Sequence, residues 1–183
     1  MTVRLFAGLE LPDDIREQVY SLRGGVPNAR WVPEEKLHLN LCFIGNVEEP
    51  LLFDLSHEFY NIRSPAFNLA LTQIGYFATG LQPHHLWVGV SHYQALDALN
   101  AKLERITEKY GIQPDRFKFH AHVAIAKLNG TSMDEVQHFI AQNNLFRTRE
   151  FNVYYFTLFS SHARENGQGK YYRVEGRYPL LLP

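Results

Sequence analysis

The sequence predicts an α+β fold with antiparallel strand pairing. Segments of strand and helix character follow one another in the order βαβαββαβαββ, so the helices interrupt the strands without the strict alternation that a parallel sheet requires. No low-complexity tract and no Pro/Ser-rich linker divides the chain. Its 183 residues therefore suit either one domain or two tightly fused lobes.

The first half of the chain predicts two strands and two helices. A strand over residues 3–10 precedes a helix that opens at Pro12, where the acidic Asp13 and Asp14 favour the helix dipole, and stops at the Gly24-Gly25 pair. The next strand, 36–45, alternates with a period of two. Its apolar face is Leu37, Leu39, Leu41 and Phe43, and its partly polar face is His38, Asn40 and Cys42. A helix over 49–62 then buries Leu52, Leu55 and Phe59.

The second half predicts the remaining elements by the same periods. Strands over 67–77 and 85–90 are separated by a glycine-containing loop. A helix over 94–110 follows, with Leu96, Leu99, Leu103 and Ile106 on its inner face. A strand over 117–128 and a short helix over 132–141 lead to two final strands, 151–160 and 171–181, joined by a loop over 161–170.

Composition limits the classes of function. The net charge is −1, so the chain has no global basic field for long nucleic acids, and an RNA substrate would be held by its end or by a few nucleotides. Cys42 is the only cysteine, which excludes an internal disulfide and suits a reducing cytoplasm. The N-terminus is unlike a signal peptide, and no apolar run approaches the roughly 18 residues of a membrane span. We expect a cytoplasmic protein.

One short pattern occurs twice. His38-Leu39-Asn40-Leu41 and His122-Val123-Ala124-Ile125 each place histidine, an aliphatic residue, a small or polar residue and an aliphatic residue on a predicted strand. The first and third positions of each copy share a face. A duplicated lobe would allow the two copies to face each other across a cleft.

Two histidines across a cleft suit the opening of a cyclic phosphate. That reaction needs a base to take a proton from water and an acid to protonate the departing ribose oxygen. Imidazole, with a pKa near 6.5, performs either role at neutral pH without a metal. Each role typically contributes about 10²–10⁴-fold to the rate. The residue two positions further on can donate a hydrogen bond to a phosphate oxygen.

Four stretches then carry a family resemblance: Arg4-Leu5-Phe6-Ala7 with Leu11-Pro12 and Ile15-Arg16; residues 37–41 with Phe43-Ile44-Gly45; residues 119–125; and residues 156–161 with the basic, tyrosine-containing stretch after them. They resemble the two-histidine (2H) phosphoesterases, and within these the bacterial RNA 2′,3′-cyclic phosphodiesterases, historically called 2′-5′ RNA ligases. The resemblance covers nearly the whole chain. It implies that residues 1–183 form a single domain of two pseudo-symmetric lobes, with duplicated antiparallel sheets, helices on the outside and a central V-shaped cleft.

The resemblance also implies roles at the matched positions. His122 is expected to activate water, His38 to protonate the leaving oxygen, and the product to be a 2′-phosphomonoester, with no cofactor. Arg164 and Tyr172 match the family's basic and tyrosine positions in the last loop and strand. The family has Thr or Ser at the third motif position, whereas this chain has Asn40 and Ala124. We therefore expect weakened or redirected activity, because Ala124 offers no donor to a phosphate.

Several side chains keep a second interpretation. His120 and His122, with His84 and His85, could form a metal pair, but no acidic residue accompanies them, so we predict no metal site and assign His120 as a neighbour that orients or packs within the cleft. Basic residues near the C-terminus are either solvated surface or phosphate ligands: Arg164, Lys170, Arg173 and Arg177. Aromatic residues that are either core or base-stacking are Trp31, Phe43, Phe77 and Trp87. Cys42 is expected near the cleft.

Three functions compete with cyclic phosphodiester hydrolysis. The substituted motifs would allow a module that binds RNA ends or nucleotide phosphates with little or no turnover. The same residues would also serve an ATP-independent 2′-5′ RNA ligase, and a metallohydrolase is a more distant alternative. The expected partner is an RNA end or a small cyclic nucleotide as substrate, handled by a monomer without a membrane or an obligatory protein partner.

Overall fold

The computed structural model describes residues 2–91, 94–165, 167 and 169–182. Its strands are β1 (Thr2–Glu10), β2 (Arg30–Trp31), β3 (His38–Glu48), β4 (Phe67–Leu69), β5 (Leu71–Thr79), β6 (Gln82–Val90), β7 (His122–Lys127), β8 (Phe151–Val153), β9 (Tyr155–Ala163) and β10 (Lys170–Pro179). Its helices are α1 (Asp13–Tyr20), α2 (Glu49–Tyr60), α3 (Gln94–Lys109) and α4 (Met133–Gln142), with a short 3₁₀ helix at Glu34–Lys36.

Most strands join one antiparallel sheet in the order β10-β9-β1-β3-β7-β6-β5, with β2 beside β7. The strands β4 and β8 form a separate antiparallel pair. The predicted α+β class with antiparallel pairing is therefore confirmed. At the centre of the large sheet, β3 and β7 are joined by a single ladder pair, Leu39 opposite Val123. The sheet thus has two halves that meet at one narrow junction.

The helices bury apolar faces against this sheet. α2 and α3 pack on β3, whereas α4 packs on β5 and β6. The fully buried strand residues Leu39, Leu41 and Val123 lie in the same core as the helix residues Leu55, Phe59, Leu96, Leu99, Leu103, Val136 and Phe139. Complete burial of one such side chain contributes about 1.5–3 kcal/mol, so the core holds both halves of the sheet in place.

Helix bounds follow the prediction closely because caps and glycines mark them. α4 begins after Ser132, whose hydroxyl accepts from the Glu135 amide while the Glu135 carboxylate accepts from the Ser132 amide. α3 ends one residue before its predicted end. α1 ends at Tyr20, before the two glycines, and the amides of the next two residues, Ser21 and Leu22, donate to the Glu17 and Val19 carbonyls.

Three predicted strands are corrected. The segment 67–77 divides at Ala70. The Ser91 hydroxyl accepts from the Ala70 amide, and the Ala70 carbonyl accepts from the Ser91 hydroxyl and amide. These bonds turn the chain from the small sheet into the large one. The segment 151–160 divides in the same way at Tyr154, whose carbonyl accepts from the Leu180 amide. The strand predicted over 117–128 begins only at His122. The two-residue strand β2 was not predicted, because it is too short to show a period.

A β-bulge in β3 exchanges the faces of that strand. Ala7 lies opposite Cys42 and Gly8 opposite Asn40, so Leu41 has no partner on β1. Leu41 and Cys42 are both buried, and Phe43 emerges on the other face with 56% of its surface exposed. The predicted faces are therefore wrong beyond Leu41: Cys42 belongs to the core, and Phe43 shares the face of His38 and Asn40.

The Leu41 carbonyl at this bulge receives a hydrogen bond from α3. The Asn100 side chain, 6% exposed, donates from Nδ2 to this carbonyl at 2.8 Å. A bulged residue lies outside the regular ladder, so a side chain supplies the donor that a neighbouring strand would otherwise give. Asn100 therefore helps to keep β3 in the register that places Phe43 beside the motif histidine.

We expect Asn100→Leu to lower the free energy of unfolding by about 1–3 kcal/mol, because a buried carbonyl loses its donor while the volume of the site is nearly kept. Urea denaturation followed by circular dichroism measures this. The matched control is Asn61→Leu, which removes an exposed side-chain bond to the His57 carbonyl and should change stability by less than about 0.5 kcal/mol. Equal losses in the two variants would contradict the role of Asn100 at the bulge.

Candidate active site

A cleft of about 320 Å³ opens on the sheet where β3 meets β7. The residues that line it come from both halves of the sheet and from the segment before β3: Arg4, Phe6, Val32, Lys36, His38, Asn40, Phe43, His122, Ala124, Ser161, Lys170 and Tyr172. No carboxylate is among these described lining residues. The cleft therefore carries a positive charge although the whole chain carries a net charge of −1.

The register between β3 and β7 brings the two histidine motifs together. Leu39 and Val123 are paired and fully buried, so their neighbours along each strand point to the opposite face, into the cleft. In an antiparallel pair, this register sets His38 opposite Ala124 and Asn40 opposite His122. The two histidines then occupy diagonal positions, which are separated by roughly 7–8 Å. That spacing leaves room for one phosphate between them.

His38 is held by its own strand and by an aromatic wall. Its Nδ1 lies 2.7 Å from the Lys36 carbonyl oxygen, which can only accept, so Nδ1–H donates and Nε2 is the nitrogen left for chemistry. Its ring packs against Phe6 and Tyr172 at centroid distances of 4.9 and 5.5 Å. Burial lowers the pKa of His38, the Lys36 carbonyl opposes that shift, and the charge of His122 adds to it.

His122 repeats this arrangement in the other half. Its Nδ1 lies 2.6 Å from the His120 carbonyl oxygen, so Nε2 is again the free nitrogen. Phe77 and Trp87 supply its aromatic wall, at centroid distances of 5.0 and 6.1 Å. Burial lowers the pKa of His122 in spite of the His120 carbonyl, and the nearby His120 and His85 lower it further. Burial therefore favours the neutral form of both imidazoles, and each presents its Nε2 to the cleft.

Two glycines make room for these rings. A β-carbon on Gly8 would stand 2.7 Å from the Leu39 carbonyl oxygen and 3.4 Å from the His38 ring. A β-carbon on Gly75 would stand 2.3 Å from the Trp87 ring, which in turn flanks His122. Heavy atoms do not approach this closely without displacement, so each half of the site depends on a residue without a side chain.

The third motif positions differ between the halves. The Asn40 Oδ1 is buried with no hydrogen-bond partner among the described residues, and its Nδ2 forms no bond with them either. The amide is therefore a donor group that the described part of the protein leaves unused. Ala124 lies opposite the large Trp87 in the β6–β7 ladder and has no polar group to offer.

The predicted site residues divide into two groups. Five line the cleft together: His38, His122, Asn40, Ala124 and Tyr172. His120 lies beside the cleft, where its carbonyl holds His122 and its ring packs on Trp87 at 4.7 Å. Arg164 is also outside the lining, and its guanidinium pairs with Glu35 at 3.6 Å.

Of the basic residues predicted near the C-terminus, only Lys170 lines the cleft. Arg173 pairs with Glu175, and Arg177 forms two bonds with the Glu10 carboxylate. Sequence reasoning missed Arg4 and Lys36. Arg4 shares the β1 face of Phe6 by simple alternation, but only the sheet order shows that this face lies in the cleft.

The aromatic residues and the cysteine singled out in the sequence divide between the cleft and the core. Phe43 lines the cleft with an exposed ring, Trp31 packs on Phe139 at 5.7 Å, and Phe77 and Trp87 flank His122. Cys42 lies in the core, where burial raises the pKa of its thiol to about 12, so it is not a nucleophile. The predicted position of Cys42 near the cleft is thus wrong.

Two kinds of structure are absent from the described ranges. Within residues 2–91, 94–165, 167 and 169–182, no group of three or more His, Cys, Asp or Glu side chains is arranged to hold a metal ion. In the same part of the chain, no helix has the length and apolar character that crossing a bilayer requires.

Comparisons with known proteins point to one family. A family model described as LigT-like phosphoesterase matches residues 9–87. An RNA 2′,3′-cyclic phosphodiesterase from Aeropyrum pernix is 34% identical over 107 residues, which are 58% of this chain and 60% of that protein. A protein of the same name from Escherichia coli is 31% identical over 128 residues, 68% of this chain and 71% of that protein.

A solved structure extends the likeness to nearly the whole fold. Escherichia coli LigT complexed with 3′-AMP superposes with a TM-score of 0.80 at 25% identity, covering 98% of this chain and 99% of that chain. The same protein complexed with ATP gives a TM-score of 0.75, also at 25% identity, over 98% and 99% of the two chains.

We expect the kcat/KM of this protein to follow a bell-shaped pH profile with its maximum below 6.5, the ordinary pKa of histidine. One imidazole must be neutral and the other protonated, and burial moves both ionisations to lower pH, so the active combination is most populated there. A bound anion favours the imidazolium forms, so the optimum of kcat should lie at higher pH than that of kcat/KM. A kcat/KM maximum above about pH 7 would contradict this assignment of the two groups.

Proposed function

This chain belongs to the LigT-like phosphoesterase family, and we propose that it hydrolyses the 2′,3′-cyclic phosphodiester of an RNA end or nucleotide to a 2′-phosphomonoester. One observation carries the proposal: two histidines, each with Nδ1 bonded to a backbone carbonyl, present free Nε2 atoms in one positively charged cleft. Two relatives are named RNA 2′,3′-cyclic phosphodiesterase, and LigT from Escherichia coli has been solved with 3′-AMP and with ATP.

In the proposed mechanism, His122 is the base and His38 the acid. The His122 Nε2 takes a proton from water as the water oxygen forms a bond with phosphorus. The bond from phosphorus to the ribose O3′ breaks, and His38 Nε2–H gives its proton to that oxygen. The products are a 2′-phosphate and a free 3′-hydroxyl, and no metal or cofactor takes part. Each proton transfer is expected to contribute about 10²–10⁴-fold.

The pKa directions support these roles. Burial keeps His122 neutral, and therefore basic, near neutral pH. The same effect makes a protonated His38 a stronger acid, and the negative phosphate between the rings stabilises that protonated form until transfer. The carbonyls of Lys36 and His120 fix which nitrogen reacts, because each holds the Nδ1 proton in place. Neither ring has to reorient between proton uptake and proton donation.

Charge on the phosphate is stabilised unevenly by the two motifs. Asn40 supplies an amide donor on the cleft side of β3, whereas Ala124 supplies none. A hydrogen bond to a charged group contributes about 1.5–3 kcal/mol, which corresponds to roughly 10–200-fold when it forms only in the transition state. The cations of the cleft offset part of this loss, and Phe43 adds an exposed ring on which a base can stack.

A phosphate-binding module with little turnover is the second candidate, and Ala124 is the observation that favours it. Binding requires only charge and donors, whereas turnover also requires that the transition state be held more tightly than the ester. Joining of 2′-5′ RNA ends would use the same two histidines with a ribose hydroxyl in place of water. The products formed from a cyclic phosphate end separate these functions.

The proposal also covers the domain organisation, the oligomeric state and the cellular location of the protein. Residues 1–183 act as one domain of two pseudo-symmetric lobes, each contributing one motif to the cleft; the sheet order on either side of the β3–β7 junction supports this. One cooperative unfolding transition is expected, and two would contradict it.

The protein works as a cytoplasmic monomer, consistent with a single, buried, free cysteine. Light scattering tests the oligomeric state, and cell fractionation of the whole protein tests the location.

We expect the unmodified protein to convert an oligonucleotide 2′,3′-cyclic phosphate end into a 2′-phosphate in the presence of EDTA. His38→Ala and His122→Ala should each lower kcat by at least about 100-fold, because each removes one proton-transfer group. His138→Ala, at an exposed position on α4, is the matched control and should keep full activity. Chromatography of the products against 2′- and 3′-phosphate standards gives the result, and activity lost on chelation alone would contradict the metal-free mechanism.

We also expect Ala124→Thr and Asn40→Thr to raise kcat/KM on a cyclic phosphate, by about 10-fold or more for Ala124→Thr, which adds a donor where none exists. Ala124→Val has nearly the shape of Thr without its hydroxyl and is the matched control. Unchanged or lower kcat/KM in both Thr variants would show that this cleft does not use a hydroxyl at the third motif position.

A further inference from the structure

Three cations surround Tyr172 at one end of the cleft. Tyr172 and Lys170 lie two residues apart on β10 and so share a face, and Tyr172 pairs with Ser161, which pairs with Arg4 on β1. The Lys36 Nζ lies 5.6 Å from the centre of the Tyr172 ring. The positive charge of Arg4 also opposes the rise in the Tyr172 pKa that burial causes, which places Arg4 near the phenol.

None of these cations is neutralised by the described residues. Arg4, Lys36 and Lys170 line the cleft, and no ion pair joins any of them to a carboxylate in the described part of the chain. Their basic neighbours on the same strand behave differently, since Arg173 and Arg177 are both paired with glutamates. The unpaired charges are therefore concentrated inside the cleft.

This charge exceeds what the reacting group needs. A cyclic phosphodiester carries one negative charge, and the His38–His122 pair with one proton already supplies one positive charge beside it. Like charges gathered in a cleft repel one another, and an anion that fits among them relieves this repulsion. The surplus is gathered around Tyr172, whose ring packs against His38 at 5.5 Å.

We propose that Arg4, Lys36 and Lys170 form a second phosphate site, which holds the 5′-phosphate of the nucleotide whose cyclic phosphate lies between the histidines. The preferred substrate class is then a nucleotide with phosphate on both sides of its ribose. In an RNA end this group is the phosphodiester that links the preceding nucleotide, and in a free nucleotide it is a 5′-monoester. This inference rests on the proposed function for the reacting group but concerns a different group of the ligand.

Kinetics test the site through three substrates: adenosine 2′,3′-cyclic phosphate, its 5′-phosphorylated form, and a dinucleotide ending in the same cyclic phosphate. We expect kcat/KM to be about tenfold or more higher for the two substrates with a second phosphate. A preference shown by both supports the site and indicates RNA ends, and a preference for the 5′-monoester alone supports the site and indicates free nucleotides. The absence of any preference overturns the proposal.

Variants assign the preference to these residues. Arg4→Gln and Lys170→Gln should each reduce the ratio of kcat/KM with and without the second phosphate by about fivefold or more. Arg105→Gln changes the net charge equally at an exposed position on α3 that has no ion pair with described residues, and it should leave the ratio unchanged. An equal loss on all three substrates would mean that the cations act on the reacting phosphate, which overturns the second site.

Binding separates this inference from the proposed function. Calorimetry compares adenosine 3′,5′-bisphosphate with adenosine 3′-monophosphate, neither of which requires turnover. Tighter binding of the bisphosphate by about tenfold or more, lost in Arg4→Gln and weakened by salt, supports the second site even if no cyclic phosphate is hydrolysed. Equal binding of the two ligands, or failure of both to bind, overturns it whether or not hydrolysis is observed.

Discussion

The site depends on one ladder pair. Leu39 and Val123 face each other across the only paired position that β3 and β7 share among the described residues, and both side chains are buried in the core. Because strand residues alternate, burial of these two forces the residues before and after each of them into the cleft. Antiparallel pairing then places the histidines on a diagonal. A slip of one residue by either strand at this junction would turn the motif side chains of that strand into the core.

Two opposing effects set the pKa of each imidazole, and both effects act in both halves of the cleft. Aromatic walls remove water and favour the neutral ring, whereas a backbone carbonyl two residues earlier in the chain binds Nδ1–H and favours the charged ring. Both effects occur in both halves and burial prevails in each, so the pKa of each ring is lowered in the free protein. The surrounding groups differ, since His120 and His85 lie near His122, whereas Lys36 and Arg4 lie near the Tyr172 ring that packs on His38. These neighbours and the unequal third positions, Asn40 and Ala124, distinguish the two halves of the cleft.

Patterns within a few residues predicted much of this molecule. The α+β class, the helix bounds and the placement of both histidine motifs on strands follow from periods and caps that the sequence displays directly. Features that depend on distant residues were not predicted. The break at Ala70 is made by Ser91, the register of β3 is supported by Asn100, and the place of Arg4 in the cleft requires the order of the sheet. The motif histidines could be predicted, but the cations around them could not.

The extra residue in β3 has a consequence for how this chain tolerates changes in length. Because Leu41 has no partner on β1, the strand contains an odd position between the motif and Phe43. Deletion of one residue there would remove the bulge and restore regular alternation, with one core residue between Asn40 and Phe43 and with Phe43 still in the cleft. A regular strand of unchanged length would instead turn Cys42 into the cleft and Phe43 into the core. Natural relatives that keep an aromatic residue at this position of the cleft can therefore differ by one residue in the spacing between motif and aromatic residue, with the bulge absorbing the difference.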